Sequence, residues 1–382
     1  MQYPVQYINR SQKMLSALEI LSNETEVTKK TSCPVSAHNE WDRLEEVIVG
    51  RADLACLPHY DDPADYCCSD VTDVAALQKM LNIQPDSTYG PERIAAANKK
   101  LDELAAFFES EGVTVRRPTP IPFNKPCITP NWTMNSGYNC CHPRDIFMII
   151  GDLILETPNS SRERYFESWA YKAIMKDYFH RGARWIAAPK PELSDELLAP
   201  DDSVYPYYIT EMEPCFDAAD FVRCGKDIVG HLSHVTNQSG VEWLRRTLGS
   251  EYKVHLVKSK NPHALHIDTT FMPLGPGRVL VNPDFLDMDS IPPALRGWEL
   301  LVAPEPVEHS PSVRGFVSKW VAVNVVSLDE KRVLVDVIQK PLIKALKDWG
   351  FEPIPFDLSP VYAFGGGLHC VTLDIRRRKR GS

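Results

Sequence analysis

Short apolar runs alternate along the chain with longer stretches of helical spacing. Leu44-Glu45-Glu46-Val47-Ile48-Val49-Gly50 reads as a strand. Residues 51–92 are rich in turn formers. Over 93–111, Leu101, Leu104, Ala105 and Phe108 fall at i, i+3, i+4 and i+7, so this stretch is predicted helical, with Gly112 closing it. Val113-Thr114-Val115 then returns as a strand.

A repeat follows. Phe147 to Ile150, a turn at Gly151-Asp152, and Leu153 to Leu155 form a hairpin pattern, and 162–180 is an amphipathic run with Phe166, Trp169, Ala170 and Ala173 on one face. Phe221 to Cys224, a turn at Gly225-Lys226-Asp227, and Ile228-Val229 form a second hairpin. A helix opening at Val241 and a strand at Lys253 to Val257 follow it. Thr270 to Met272, with Gly275-Pro276-Gly277 as its turn and Val279 to Val281 as its return, is the third. Val321 to Val326, with a turn at Asp329-Glu330-Lys331 and Val333 to Val335, is the fourth. Pro341 opens its helix, Leu342, Ala345, Leu346 and Trp349 make the apolar face, and Phe351 to Phe356 is the next strand. The turns recur roughly every 50–75 residues, which favours a radial or solenoid α/β arrangement over two unrelated domains.

Composition narrows the function. The 382 residues are 43% hydrophobic, ample for a core, and the net charge of −9 argues against a nucleic-acid surface. No window is apolar enough for a membrane span, and MQYPVQYINRSQKML lacks the core of a signal peptide. Ten cysteines, some adjacent (Cys67-Cys68, Cys140-Cys141), suit free thiols in a reducing cytoplasm. Residues 1–36 read as a polar extension, 37–378 as the folded domain and 379–382 as a basic tail, with Arg376 to Arg380 expected to be a solvated end.

The candidate chemistry lies where the units begin. Gly365-Gly366-Gly367 permits close approach of another molecule, and Cys370 follows it at the head of the run Val371 to Ile375, placed on a rim as a candidate nucleophile. Its bland alternative is a buried structural thiol. Asp145 precedes the first hairpin, Asp217 and Asp220 the second, His266 and Asp268 the third, and Ser318 the fourth. In a radial arrangement these positions converge. Carboxylates in a cleft want a cation, and a planar guanidinium with forked donors suits them. Asp145 and Asp268 would clamp it, Cys370 would attack its carbon, His266 would move protons, and Asp217 would orient His266. A thiol whose ordinary pKa is about 8.5 needs help to ionise, which the bound cation and His266 would supply.

Seven blocks make the chain similar to the arginine amidinotransferases, best represented by glycine amidinotransferase: NEWDRLEEVIVGR at 39–51, KDYFHRGARW at 176–185, EPCFDAADFVR at 213–223, HIDTTF at 266–271, SKWVAVNV at 318–325, LDEKRVLVD at 328–336 and GGGLHCVTLDIRRR at 365–378. The resemblance implies a five-fold pseudosymmetric α/β propeller of the pentein type, a homodimer, no cofactor and no metal. It implies ping-pong transfer of an amidino group from L-arginine through a cysteine adduct. By position, Cys370, His266 and Asp217 would be catalytic, and Asp145, Asp268 and Ser318 would bind substrate. The chain departs from the glycine-using pattern at Phe285, where an arginine is expected, at Val317, a serine there, and at His263 and Leu265, an asparagine and a methionine there. Arg314 is a candidate replacement for the missing arginine. The altered loop is more similar to amidinotransferases of the saxitoxin or cylindrospermopsin pathways, so the expected acceptor is an amine other than glycine, with a long-chain guanidino amino ketone favoured. An arginine hydrolase and a non-catalytic arginine-binding propeller are the alternatives. A zinc site from His263, His266, His369 and Cys370 matches no usual ligand spacing.

Overall fold

A computed structural model describes residues 33–57, 78–80, 82–199 and 206–378. Most of the N-terminal extension, the Cys67-Cys68 pair and residues 379–382 lie outside this set. The compact unit begins at Pro34.

Among the described residues one motif recurs five times. An antiparallel hairpin is followed by a crossover and a third strand parallel to the hairpin's second strand. The second blade shows the logic: β3 (Phe147–Ile150) and β4 (Leu153–Glu156) pair around Gly151, whose φ of +61° only glycine adopts cheaply. Helix α2 (Lys172–His180) then returns the chain, so that β5 (Arg184–Ala187) pairs parallel with β4. The third blade is β6 (Phe221–Cys224), β7 (Asp227–His231), α3 (Gln238–Leu248) and β8 (Lys253–Val257). The fourth is β9 (Phe271–Gly275), β10 (Arg278–Val281) and β11 (Glu299–Val302), and two 3-10 turns replace its helix. The fifth is β12 (Val326–Ser327), β13 (Arg332–Asp336), α4 (Lys340–Asp348) and β14 (Glu352–Phe356).

The remaining blade closes the ring. Its hairpin is made by β1 (Arg43–Val49) and the last strand, β15 (Thr372–Arg378), joined antiparallel. Helix α1 (Pro91–Ser110) leads to β2 (Thr114–Arg116), which adds parallel to β1. Exposure grades from centre to edge: β3, β6 and β9 are buried throughout, whereas β5 and β11 are exposed at both ends. Strands covered on both faces read as unbroken apolar runs, which is how these inner strands look in sequence.

Charge fills the centre beneath the site. Arg223 donates to both carboxylate oxygens of Glu40 at 2.7 Å and to Asp374 at 2.6 Å, while Arg144 reaches Asp374 at 2.7 Å. All four side chains are buried. Partners this close offset much of the cost of removing the charges from water.

Three expectations are corrected. The run 162–180 is not one helix: a 3-10 turn, Glu167–Tyr171, precedes α2, and the buried face is Tyr171, Met175 and Tyr178. Trp169 is 59% exposed. Val321 to Val325 is not strand, because Ser318 accepts from the Trp320 N–H and starts a 3-10 turn over Lys319–Val323. A short apolar run cannot by itself separate the two conformations. The basic stretch does not begin a solvated end at Arg376: Arg377 is buried in β15, donating to Asp374 and to the carbonyls of Asp42 and Ser327.

Candidate active site

Tight turns deliver the site. Each hairpin from the second to the fifth blade is entered through a short helical turn, and the residue capping its N-terminus is His142, Asp217, His266 and Ser318 in succession. Asp145 and Asp268 lie inside the first and third of these turns, and Cys370 sits just before β15. The repeat therefore superposes chemistry at one phase of the fold. His266 adopts φ +52° with ψ 122°, a conformation that costs a residue with a Cβ about 1–3 kcal/mol and that surrounding packing must enforce.

The side chains converge. A ligating atom from each of Asp145, His266 and Cys370 lies within 4.8 Å of the others. His266 Nε2 is 3.0 Å from Asp217 Oδ2, and its Nδ1 is 3.8 Å from Asp145 Oδ1. Cys370 Sγ is 3.7 Å from Asp268 Oδ2. Asp145 Oδ1 and Asp268 Oδ1 are buried with no protein hydrogen-bond donor. Two such oxygens beside a thiol make a receptor for a cation with several N–H groups.

A pocket borders this cluster, with His266 and Asp268 among its lining residues. Its wall includes His263, Leu265, Phe285, Val317, Ser318 and the glycine loop at Gly365-Gly366. His263 is exposed at the rim, and Phe285 packs against Trp320 with ring centroids 6.1 Å apart. Arg314 does not line this pocket. It ends the short helix Pro311–Arg314, with Nη1 3.6 Å from Glu308.

Several neighbours carry no mark in the sequence. Arg164, from the stretch read as helix, donates to Asp145 at 2.9 Å and to Glu167 at 2.9 Å, and lies 3.5 Å from Asp217. Asn324 donates from Nδ2 to Cys370 Sγ at 3.1 Å. His142 packs under the glycine loop, where a Cβ on Gly366 would come within 2.6 Å of its ring.

Burial sets the protonation states. It pushes the Cys370 thiol up to about 12, helped by the Asp268 charge and opposed by the hydrogen bond from His266. Burial also works against a charged His266, but Asp145 and the Asp217 hydrogen bond outweigh it and hold the imidazole well above its ordinary value. Asp217 is raised by burial. In Asp145 the opposing pull of His266 and Arg164 wins over burial and lowers it. Burial drives His142 down to about 4, so it is neutral. These shifts favour a neutral thiol beside a charged imidazole.

Asp145, His266 and Cys370 also offer one oxygen, nitrogen and sulfur each, a donor set that could hold a metal ion. The zinc set weighed from spacing does not assemble in that form, since His263 is at the rim and His369 Nδ1 is engaged by Asp268 at 2.8 Å.

No family model matches the chain. It is 42% identical to the L-arginine:L-lysine amidinotransferase of Pseudomonas savastanoi pv. phaseolicola, covering 90% of this chain and 95% of that one. Among solved structures, SxtG, an amidinotransferase of the saxitoxin biosynthetic pathway from Microseira wollei, matches with a TM-score of 0.83 and 47% identity, covering 91% of this chain and 98% of that chain. The inosamine-phosphate amidinotransferase StrB1 of Streptomyces griseus matches with a TM-score of 0.80 and 36% identity, covering 90% and 97%. The fold is a pentein-type α/β propeller and the protein is an enzyme. The chain belongs to the amidinotransferase family.

Proposed function

We propose that this amidinotransferase takes the amidino group of L-arginine onto Cys370, releases L-ornithine, and passes the group to an amine other than glycine. The observation that carries the reading is the convergence of the Cys370 thiol, the His266 imidazole and the buried oxygens of Asp145 and Asp268 that lack a hydrogen-bond donor. Asp145 and Asp268 hold the guanidinium flat beside the sulfur. The cation's charge favours loss of the thiol proton to solvent, which burial otherwise opposes. The thiolate adds to the guanidinium carbon, forming the S–C bond. His266 gives its proton to the departing nitrogen as the C–N bond breaks. Neutral His266 then takes a proton from the incoming amine, which attacks the S-amidino carbon and expels the thiolate. Asp217 orients the imidazole and favours its charged form throughout.

The acceptor reading rests on the pocket wall. Phe285, Val317, Leu265 and Val321 are apolar and line the pocket, which suits an amine on an apolar stem better than a small amino acid. A long-chain guanidino amino ketone is the acceptor favoured, as the resemblance of the altered loop to saxitoxin-pathway amidinotransferases implies. Incubation with labelled arginine and a panel of amines tests both parts. Ornithine release that depends on an added amine, with a guanidino product, is expected, and a long-chain amino ketone should exceed glycine. Free citrulline with no need for an amine would instead make the protein a hydrolase.

A further inference from the structure

We infer that Asn324 is a catalytic residue, whose amide N–H donates to Cys370 Sγ and stabilises the negative charge that the sulfur carries before it attacks and as it leaves. The inference rests on Cys370 being the nucleophile, as proposed above.

The orientation of the amide follows from its partners. Asn324 Oδ1 accepts the backbone N–H of His369 at 2.7 Å and that of Cys370 at 3.3 Å. With the carbonyl oxygen committed to two donors, the NH₂ group must face the other way. There it meets Sγ at 3.1 Å. The side chain is only 2% exposed, so water does not compete for the contact.

The glycine loop is built around this asparagine. A Cβ on Gly367 would lie 2.6 Å from Asn324 Oδ1 and 2.8 Å from Val321 Cγ2. Only glycine lets the amide approach so closely, which gives the third glycine a role beyond chain flexibility. The sulfur then sits between opposites. As a thiol it donates towards Asp268 Oδ2 at 3.7 Å and accepts from Asn324. Once the proton has left, Asp268 is a repulsive neighbour and Asn324 remains a fixed donor. A preoriented dipole of this kind is most valuable where charge develops in a water-excluded site. It also helps the thiolate leave the S-amidino carbon in the second half-reaction, when the S–C bond breaks and the electron pair returns to sulfur.

Asn324→Asp separates the two jobs of the side chain. The new carboxylate keeps an oxygen for both backbone N–H groups, which favour its charged form, but presents an acceptor to sulfur. Three readouts are taken on wild type and variant: the pH dependence of iodoacetamide labelling of Cys370, arginine affinity, and single-turnover ornithine release followed by intact mass. The expected result is a labelling profile moved alkaline by about one pH unit or more and release slowed on the order of a hundredfold, with arginine affinity within about threefold. Asn324→Ala, checked for folding by circular dichroism, should show the same direction. Wild-type labelling and release in a folded Asn324→Asp protein would overturn the inference while leaving the cysteine mechanism standing. Absence of an amidino adduct on wild-type Cys370 would remove the mechanism and the inference together.

Discussion

His369 Nδ1 and Asp268 Oδ2, 101 residues apart in sequence, meet at 2.8 Å beside Cys370. A carboxylate only accepts, so His369 must carry its proton on Nδ1. The other nitrogen lies 3.5 Å from Glu40, which is bound to Arg223. Asp268 thus sits beside the charged centre of the propeller, and its Oδ1 has no protein donor. His369→Leu should raise the KM for arginine about tenfold or more, and His369→Asn, which keeps a donor near Nδ1, should recover most of it. Steady-state kinetics on the two variants decide the point, since a purely structural defect would not distinguish them.

Removing the thiol or the imidazole should stop chemistry and spare the fold. Cys370→Ala and His266→Ala are expected to lose at least about a thousandfold in kcat. Asp145→Asn should act mainly on arginine binding. Intact-mass spectra after exposure to arginine provide the check: wild type gains one amidino group on Cys370 and Cys370→Ala gains none.

The protonation states predict a pH response. The thiol is pushed up to about 12 by burial and Asp268, so its reactive form lies on the alkaline side. Iodoacetamide labelling of the free protein should keep rising past a pH of about 10 rather than level off near the usual thiol value. A guanidinium ligand that cannot react should shift the profile to lower pH by adding positive charge. His266 works in the opposite sense. Its pKa is raised, so the imidazolium that the proposed mechanism uses as its acid is favoured at neutral pH and lost as pH climbs through that value. Labelling that saturates near pH 8 without ligand would contradict this account.

The buried charges under the site should matter for stability. Asp374 sits among Arg144, Arg223 and Arg377 at 2.6–2.7 Å. Burial would raise its pKa, but these three arginines outweigh that and hold it below the usual carboxylate range. Asp374→Asn would leave them under-compensated and should destabilise by about 3–5 kcal/mol, read from the denaturant midpoint. Because the folded pKa is depressed, the stabilisation is present above the unfolded value of about 3.9 and is lost as pH falls through the folded one.

Much of this was legible in the chain, and the exceptions have physical reasons. Leu101, Leu104, Ala105 and Phe108 are all buried on α1, because a helix facing a core must repeat near every 3.6 residues. The hairpins around Gly151 and Gly225 were marked by their turns. Positions at the head of each unit meet because equivalent points of a closed repeat face one axis. The α2 region misled because a 3-10 turn shifts the phase of the pattern, exposing Trp169 and burying Tyr178. Arg164 and Asn324 stayed hidden for another reason. Each reaches the site through a partner far away in sequence, Asp145 or Asp217 for Arg164 and Cys370 for Asn324, and no local spacing distinguishes such an arginine or asparagine from a surface one.

The pairing of β1 with β15 has a bearing on biogenesis. A polypeptide emerging from the ribosome carries Asp145, Asp217, His266 and Asp268 well before it carries His369 and Cys370. Cys370 arrives with the segment that zips the circle shut. Pairing of the last strand with β1 therefore brings His369 and Cys370 to Asp268 and His266 in a single closing step.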